Sequence, residues 1–191
     1  MIVASEDALI DKILKRILLD HGSSAESLIS LCAGGKQKLQ ARLPSLIRSC
    51  SGGLKVVLCV DLDMEPCVVR LRDAWFPQGV PVSMVFTVAV READAWLLAD
   101  PGIVEYLQTR ATAPGNPGSI QDPKSALINI AKRSRNRVIR EEMVVQEGAL
   151  ARVGPGYNRI LGDFVSENWD YRRAAEVCPD LKRLVAKISE F

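Results

Sequence analysis

The ten residues LKVVLCVDLD, Leu54 to Asp63, decide how the rest of the chain is read. Leu54 to Val60 is an almost unbroken β-branched and aliphatic run, the composition of a strand buried on both faces of a parallel sheet. A Ser51-Gly52-Gly53 turn precedes it, and Asp61-Leu62-Asp63 closes it. In extended backbone, residues two apart project to one side, so Asp61 and Asp63 are expected to converge on a single point.

On the N-terminal side, Ile2 to Ala4 is a short apolar run. Leu9, Ile10, Ile13, Leu14, Ile17 and Leu18 then recur at helical spacing, predicting a helix from Ser5 to His21 with Ser5 as its cap. Ser27 to Cys32 reads as a strand, ending at Ala33-Gly34-Gly35. Lys36 to Cys50 reads as a helix that Pro44 should kink or break. Beyond Asp63, a helix over Cys67–Trp75, a strand over Val82–Val90 and a helix over Glu92–Ala99 complete the alternation. The first hundred residues thus read β-α-β-α-β-α-β-α, which predicts an α/β fold, Rossmann-like, with a mostly parallel four-stranded sheet flanked by helices.

After Asp100-Pro101-Gly102 the pattern changes. Ala111 to Gly118 is a loop rich in small residues, Pro and Gly, and Asp122-Pro123 has the form of a helix start. Helices are expected over Lys124–Arg133, Arg135–Glu147, Gly156–Asn168 and Tyr171–Phe191. The organisation is therefore an α/β core, residues 1–110, with a helical C-terminal region, residues 111–191, packed on it. At 191 residues, one such unit is what the length allows.

Composition narrows the function. The 25 Lys and Arg against 23 Asp and Glu leave no gross charge excess. Hydrophobic residues at 48% and charged residues at 25% fit a folded globular chain. No run approaches the roughly 18 apolar residues of a membrane helix. The opening MIVASEDALIDK carries acids where a secretory leader has a basic segment, predicting a soluble, cytoplasmic protein. Five cysteines form no CxxC, and Cys32 and Cys59 lie in apolar runs where a thiol acts as a small hydrophobe. His21 is the single histidine, which disposes of most zinc enzymes and of any histidine-based nucleophilic triad not built around it, and its place beside Gly22 reads as a helix end. Gly35-Lys36 fails as a phosphate loop because Ser30 and Gln37 occupy its other required positions. Gly154-Pro155-Gly156 fails as a dinucleotide fingerprint because Arg159 stands where the third glycine belongs.

In an open α/β sheet, ligands bind beyond the carboxyl ends of the strands. Glu6 follows the first strand, Asp61 and Asp63 the third, and Asp94, with Glu92, the fourth. Carboxylates held together in a dry cleft repel unless a proton or cation lies between them, and oxygen-only donors favour Mg²⁺ or Mn²⁺. The plain alternative is that each acid caps a turn or helix. Trp96 reads as core on an apolar helix face.

The acid after strand one, the glycine pair after strand two and Asp-Leu-Asp after strand three resemble the TOPRIM domain of topoisomerases, primases and some nucleases. The string Asp94-Ala95-Trp96-Leu97-Leu98-Ala99-Asp100 is similar to the Glu-Ala-Trp-Leu-Leu-Ala-Asp signature of small bacterial TOPRIM-like relatives of overcoming-lysogenisation-defect nucleases. Asp122-Pro123-Lys124 and Gly154-Pro155-Gly156-Tyr157 look like that group's later motifs. Asp94 departs from its usual Glu, and Ala4-Ser5-Glu6-Asp7 from the glycine-bearing first motif of the nucleases.

The resemblance implies divalent-metal phosphodiester chemistry on nucleic acid, with a role in phage defence. Mg²⁺ or Mn²⁺ would be held by Glu6, Asp61 and Asp63, with Asp94 and Asp100 toward a second ion; Glu6, Asp61, Asp63 and Lys124 are the candidate catalytic residues. It also implies an alternative, a catalytically silent binding or assembly module that works with a partner ATPase. A third possibility is phosphoryl chemistry on a small substrate.

Two features of charge bear on these readings. Lys124 opposes the dipole in a helix's first turn, a placement that makes sense beside an anion or the acidic cluster. Lys132, Arg133, Arg135 and Arg137 lie in an acid-free basic stretch, Lys124 to Arg140, that can track a phosphate backbone, DNA being favoured. Lys36 joins them as a candidate nucleic-acid contact. The plain alternative for the stripe is a solvated helix face answered by Glu141, Glu142 and Glu147.

Overall fold

The structure, a computed structural model, describes residues 1–145, 148 and 150–191. Four strands, β1 (Ile2–Ser5), β2 (Ile29–Cys32), β3 (Val56–Asp61) and β4 (Met84–Ala89), form one parallel sheet in the order β2-β1-β3-β4. All six residues of β3 and of β4 are buried, which is why their sequences carry no polar alternation. β2 is an edge strand and leaves Ile29 and Cys32 exposed, so Cys32 is not the buried thiol its apolar run suggests. The cysteines are all free.

The helices between strands lie on both faces of the sheet. On one face α2 (Lys36–Ser51) and α3 (Val68–Trp75) pack Leu39, Leu43, Leu46 and Trp75 against Leu58, Val60, Phe86 and Val88. On the other, α1 (Ala8–Asp20) packs on Val3, Val57, Cys59 and Val85. The same core continues without a break into α4 (Asp94–Leu98), α5 (Gly102–Tyr106), α6 (Pro123–Ala131), α7 (Arg137–Met143), α8 (Tyr157–Glu167), α9 (Tyr171–Val177) and α10 (Pro179–Glu190). Trp96 is fully buried there, as its helix face predicts. Among the described residues, no helix is long and apolar enough to cross a membrane.

Four local readings change, each for an identifiable reason. Asp7, not Ser5, caps α1: its Oδ1 accepts the Ile10 amide at 2.9 Å, while Ser5 ends β1 and donates to the Asp7 carbonyl. α2 runs unbroken through Pro44, which lies at an exposed position, as does Gln40, the residue whose carbonyl it deprives of a donor. The expected Tyr171–Phe191 helix is two helices, since Cys178 is extended (φ −117°, ψ 96°) before Pro179. The two helices of the basic stretch stand further apart than expected, for α6 ends at Ala131 and α7 begins only at Arg137; Glu147 lies outside the described residues. Asp122 does cap α6, accepting the Ser125 amide at 2.8 Å ahead of Pro123. His21 closes α1, its amide bonded to the Ile17 and Leu18 carbonyls.

Candidate functional site

From β1 the chain steps outward to β2, and from β3 it steps outward the other way to β4. The strand order therefore reverses between β1 and β3, and the crevice at their carboxyl ends is the position where open α/β sheets bind ligands. Glu6 directly follows β1, and Asp61 is the last residue of β3. The Asp61 amide donates to Glu6 Oε1 at 3.1 Å, so the two acids sit side by side at this point. Asp61 shares the sheet face of Val57 and Cys59 by strand alternation, and its Oδ1 accepts the Ala93 amide at 2.7 Å.

Asp94, at the start of α4, extends the group. Its Oδ1 accepts the hydroxyl of Tyr157, and its Oδ2 lies 3.7 Å from Lys124 Nζ. Lys124 also sits 3.6 Å from Glu92 Oε1 and donates its amide to Glu92 Oε2 at 3.3 Å. At the opposite end Lys36, in the first turn of α2, donates to Asp63 Oδ2 at 2.6 Å and to the Leu62 carbonyl at 3.3 Å. An acidic row, Asp63, Glu6, Asp61 and Asp94, thus crosses the sheet edge with a lysine at each end.

Asp61 and Asp63 do not converge as extended backbone predicts. The chain leaves the extended region at Asp63, which has φ 53°, so the two-residue alternation stops one residue earlier. Asp61 is buried while the Asp63 side chain is 45% exposed and turned toward Lys36. Among the described residues no three acids, cysteines or histidines already share one coordination point, so holding an ion requires rotation of a carboxylate. The donor chemistry nevertheless fits a hard divalent cation, because every side chain of the row offers only carboxylate oxygens.

Burial dominates the electrostatics. It pushes the Asp61 carboxyl well above the usual range, and the charges of Glu6 and Asp94 push the same way, against the Ala93 N–H. Glu6 is raised by burial and by Asp63, partly offset by the Asp61 amide and Lys36. Asp94 is raised by burial in spite of Lys124 and Tyr157. For Lys124, burial works against the charge, but Asp94 and Glu92 outweigh it and hold the ammonium above its ordinary value. Tyr157 is raised by burial and by Asp94, so it remains a hydroxyl donor.

A carboxyl raised on folding stabilises the native state fully below its unfolded value and loses that contribution as pH climbs through the folded one. The metal-free chain is therefore expected to lose thermal stability as pH rises from about 4, near the ordinary values of 3.8 for Asp61 and 4.5 for Glu6. Melting curves across this range, with and without Mn²⁺, check it: the slope should flatten when Mn²⁺ occupies the row. A slope indifferent to Mn²⁺ contradicts the assignment.

Two assignments require correction. Asp100 does not join the row. It is fully buried and accepts from the Gly102 and Asp170 amides, at 2.9 and 2.8 Å, and from the Arg173 guanidinium, so its oxygens hold α5 and α9 in place. Asp100→Asn is expected to cost about 1–3 kcal/mol in urea unfolding and to leave Mn²⁺ affinity as in the wild type. Lys36 belongs to the acidic row and not with the basic stretch, since Asp63 claims its ammonium. In that stretch, Lys132 is the C-cap of α6 and Arg137 pairs with Glu141 at 2.7 Å, while Arg133 and Arg135 face a separate cleft.

Tyr157 is the site residue that sequence reasoning leaves without a role. Nothing local announces its bond to Asp94, 63 residues away. The only signal is the pair of glycines before it. A Cβ on Gly154 would come within 2.7 Å of the Met143 carbonyl carbon, and one on Gly156 within 2.7 Å of Glu142 Cβ. Small residues there let the start of α8 approach the end of α7. Comparison with protein-family models, with curated proteins and with solved structures finds no match to this chain.

Proposed function

We propose that this is a TOPRIM-like protein that uses Mg²⁺ or Mn²⁺ to cleave phosphodiester bonds of nucleic acid. The observation that carries the reading is the placement of Glu6, Asp61 and Asp94, all buried, around the switch point of the sheet, with Glu6 accepting the Asp61 amide and Asp61 the Ala93 amide beside Asp94. Three buried carboxylates are costly to keep ionised, and a bound cation offsets that cost. An ion bound there polarises a phosphoryl oxygen and lowers the pKa of an attacking water.

Each side chain has a part in that reading. Glu6 and Asp61 hold the ion, with Asp63 reaching it by release from Lys36. Glu6, whose carboxyl lies above the ordinary range, is suited to accept and return a proton. Asp94 is held in orientation by the Tyr157 hydroxyl. Lys124, beside Asp94 and Glu92 at the rim, would offer its ammonium to a non-bridging phosphate oxygen.

The lysines also favour a second reading. Lys36 at 2.6 Å from Asp63 and Lys124 at 3.7 Å from Asp94 partly neutralise the row without any ion, which suits a silent module acting with a partner ATPase. Incubating plasmid and single-stranded DNA with Mn²⁺ separates the two. Cutting by the wild type that Asp61→Asn abolishes is the expected result. Intact DNA, with or without an ATPase encoded beside it, argues for the silent module.

A further inference from the structure

We infer that Arg110, Arg133 and Arg135 form a phosphate-binding cleft for a nucleic-acid strand, one helix length from the acidic row; this rests on the nucleic-acid reading above. The three arginines, with Thr109 and Ala111, line an open cleft of about 570 Å³. Arg110 lies outside the basic stretch of sequence and reaches the cleft only because two loops are tied together. The Arg135 amide donates to the Gln108 carbonyl at 2.9 Å, and the Ala111 amide to Thr109 Oγ1 at 3.2 Å. Gln108 turns the chain there, at φ 51°. The second loop is braced by Arg140, which donates to the Ser134 carbonyl, and by buried Ser134, whose hydroxyl accepts the Asn136 amide at 3.0 Å.

The chemistry of the lining selects the ligand. Arg110, Arg133 and Arg135 are exposed, and among the described residues none has a carboxylate partner, unlike Arg137 with its Glu141. Guanidinium forks match phosphate oxygens in pairs, and three of them concentrate positive charge that the nearly neutral chain shows nowhere in its totals. Among the described residues no aromatic ring lines the cleft. Contacts of guanidinium with phosphate go to the backbone and are independent of sequence.

Geometry links the cleft to the row. Lys124 stands at the start of α6 beside Asp94, and Arg133 lies just past its end. The nine residues of α6 rise about 13 Å. A strand whose scissile phosphate lies at the row thus reaches the cleft within a few nucleotides.

Fluorescence anisotropy in EDTA, with labelled oligonucleotides of about 3 and about 12 nucleotides, tests this without any cleavage step. The longer strand should bind the wild type on the order of tenfold or more tighter than the shorter. Arg110→Gln/Arg133→Gln/Arg135→Gln should bind the longer strand on the order of tenfold to a hundredfold more weakly, with a salt slope lower by about 2. Arg110→Gln alone should take about one third of that slope. An unmoved melting midpoint in both variants establishes that exposed side chains, and not the fold, were changed. Equal affinity and slope in wild type and triple variant overturn the proposal, as does a poly-glutamate peptide of matched charge that binds as tightly as the oligonucleotide. Because EDTA removes the ion, failure of the acidic row to cleave leaves this result standing, and failure to bind here leaves the metal titration at Asp61 standing.

Discussion

Asp61→Asn is expected to abolish DNA cleavage, by at least about a hundredfold in rate at saturating Mn²⁺, while making the metal-free protein melt higher at neutral pH. The opposite signs are the point. Asn keeps an oxygen for the Ala93 amide, which Asp61 Oδ1 now accepts at 2.7 Å, so the junction between β4 and α4 retains its hydrogen bond. It removes the charge whose burial, beside Glu6 and Asp94, raises the carboxyl. Relief of that burial stabilises the fold at pH above the ordinary value of 3.8, where the carboxyl of the unfolded chain ionises freely and that of folded Asp61 does so only at a cost. Cleavage assays and melting curves on the same preparation read both effects. Loss of cleavage together with a lower midpoint would mean that Asp61 is a structural cap. Asp61→Ala is the less informative change, because it orphans the Ala93 N–H at a cost of about 1–3 kcal/mol.

The largest expected effect on stability lies at Trp96. Trp96→Ala should cost about 3–5 kcal/mol in urea unfolding, enough to lower the melting point by roughly 10 °C in a chain of this size. The ring is fully buried at the junction of α4 with α6, α9 and α10. Its Nε1 donates to Asp180 Oδ2 at 2.8 Å, an oxygen that also takes the Val90 amide at 2.8 Å, and its carbonyl accepts from Trp169 Nε1 at 3.3 Å. Truncation therefore opens a cavity and leaves Asp180 short of a donor. Trp96→Phe separates the two losses, since it fills most of the volume without the N–H, and should cost about 1–2 kcal/mol. A loss below about 1 kcal/mol for Trp96→Ala would show that α4 is not held by this ring, and the position of Asp94 would need another cause.

What sequence reading recovers here is what local chemistry dictates. Val56 to Val60 is buried on both faces and reads so; Asp122-Pro123 starts a helix and reads so; Trp96 sits on an apolar face and is core. The acids after the strands are visible because a parallel sheet brings its carboxyl ends to one rim. What sequence does not disclose depends on a partner far along the chain or on a single dihedral. Asp100 looks like Asp94's twin six residues on, until Arg173 and the Asp170 amide, some 70 residues away, claim its oxygens. Asp63 follows the alternation rule until φ turns positive and hands it to Lys36. Arg133, Arg135 and Arg137 form one run on paper, yet the turn between α6 and α7 gives the first two to a cleft with Arg110 and the third to Glu141.

Calorimetric titration of Mn²⁺ into the wild type and Asp61→Asn tests the acidic row most directly, because it needs neither substrate nor partner. Carboxyls raised by burial must give up protons to bind an ion, so in the wild type binding should be accompanied by proton release that grows as pH falls toward the carboxyl range. In Asp61→Asn the affinity should drop by at least about a hundredfold. Equal binding by the two proteins, or no binding by either, would contradict a cation held between Glu6 and Asp61.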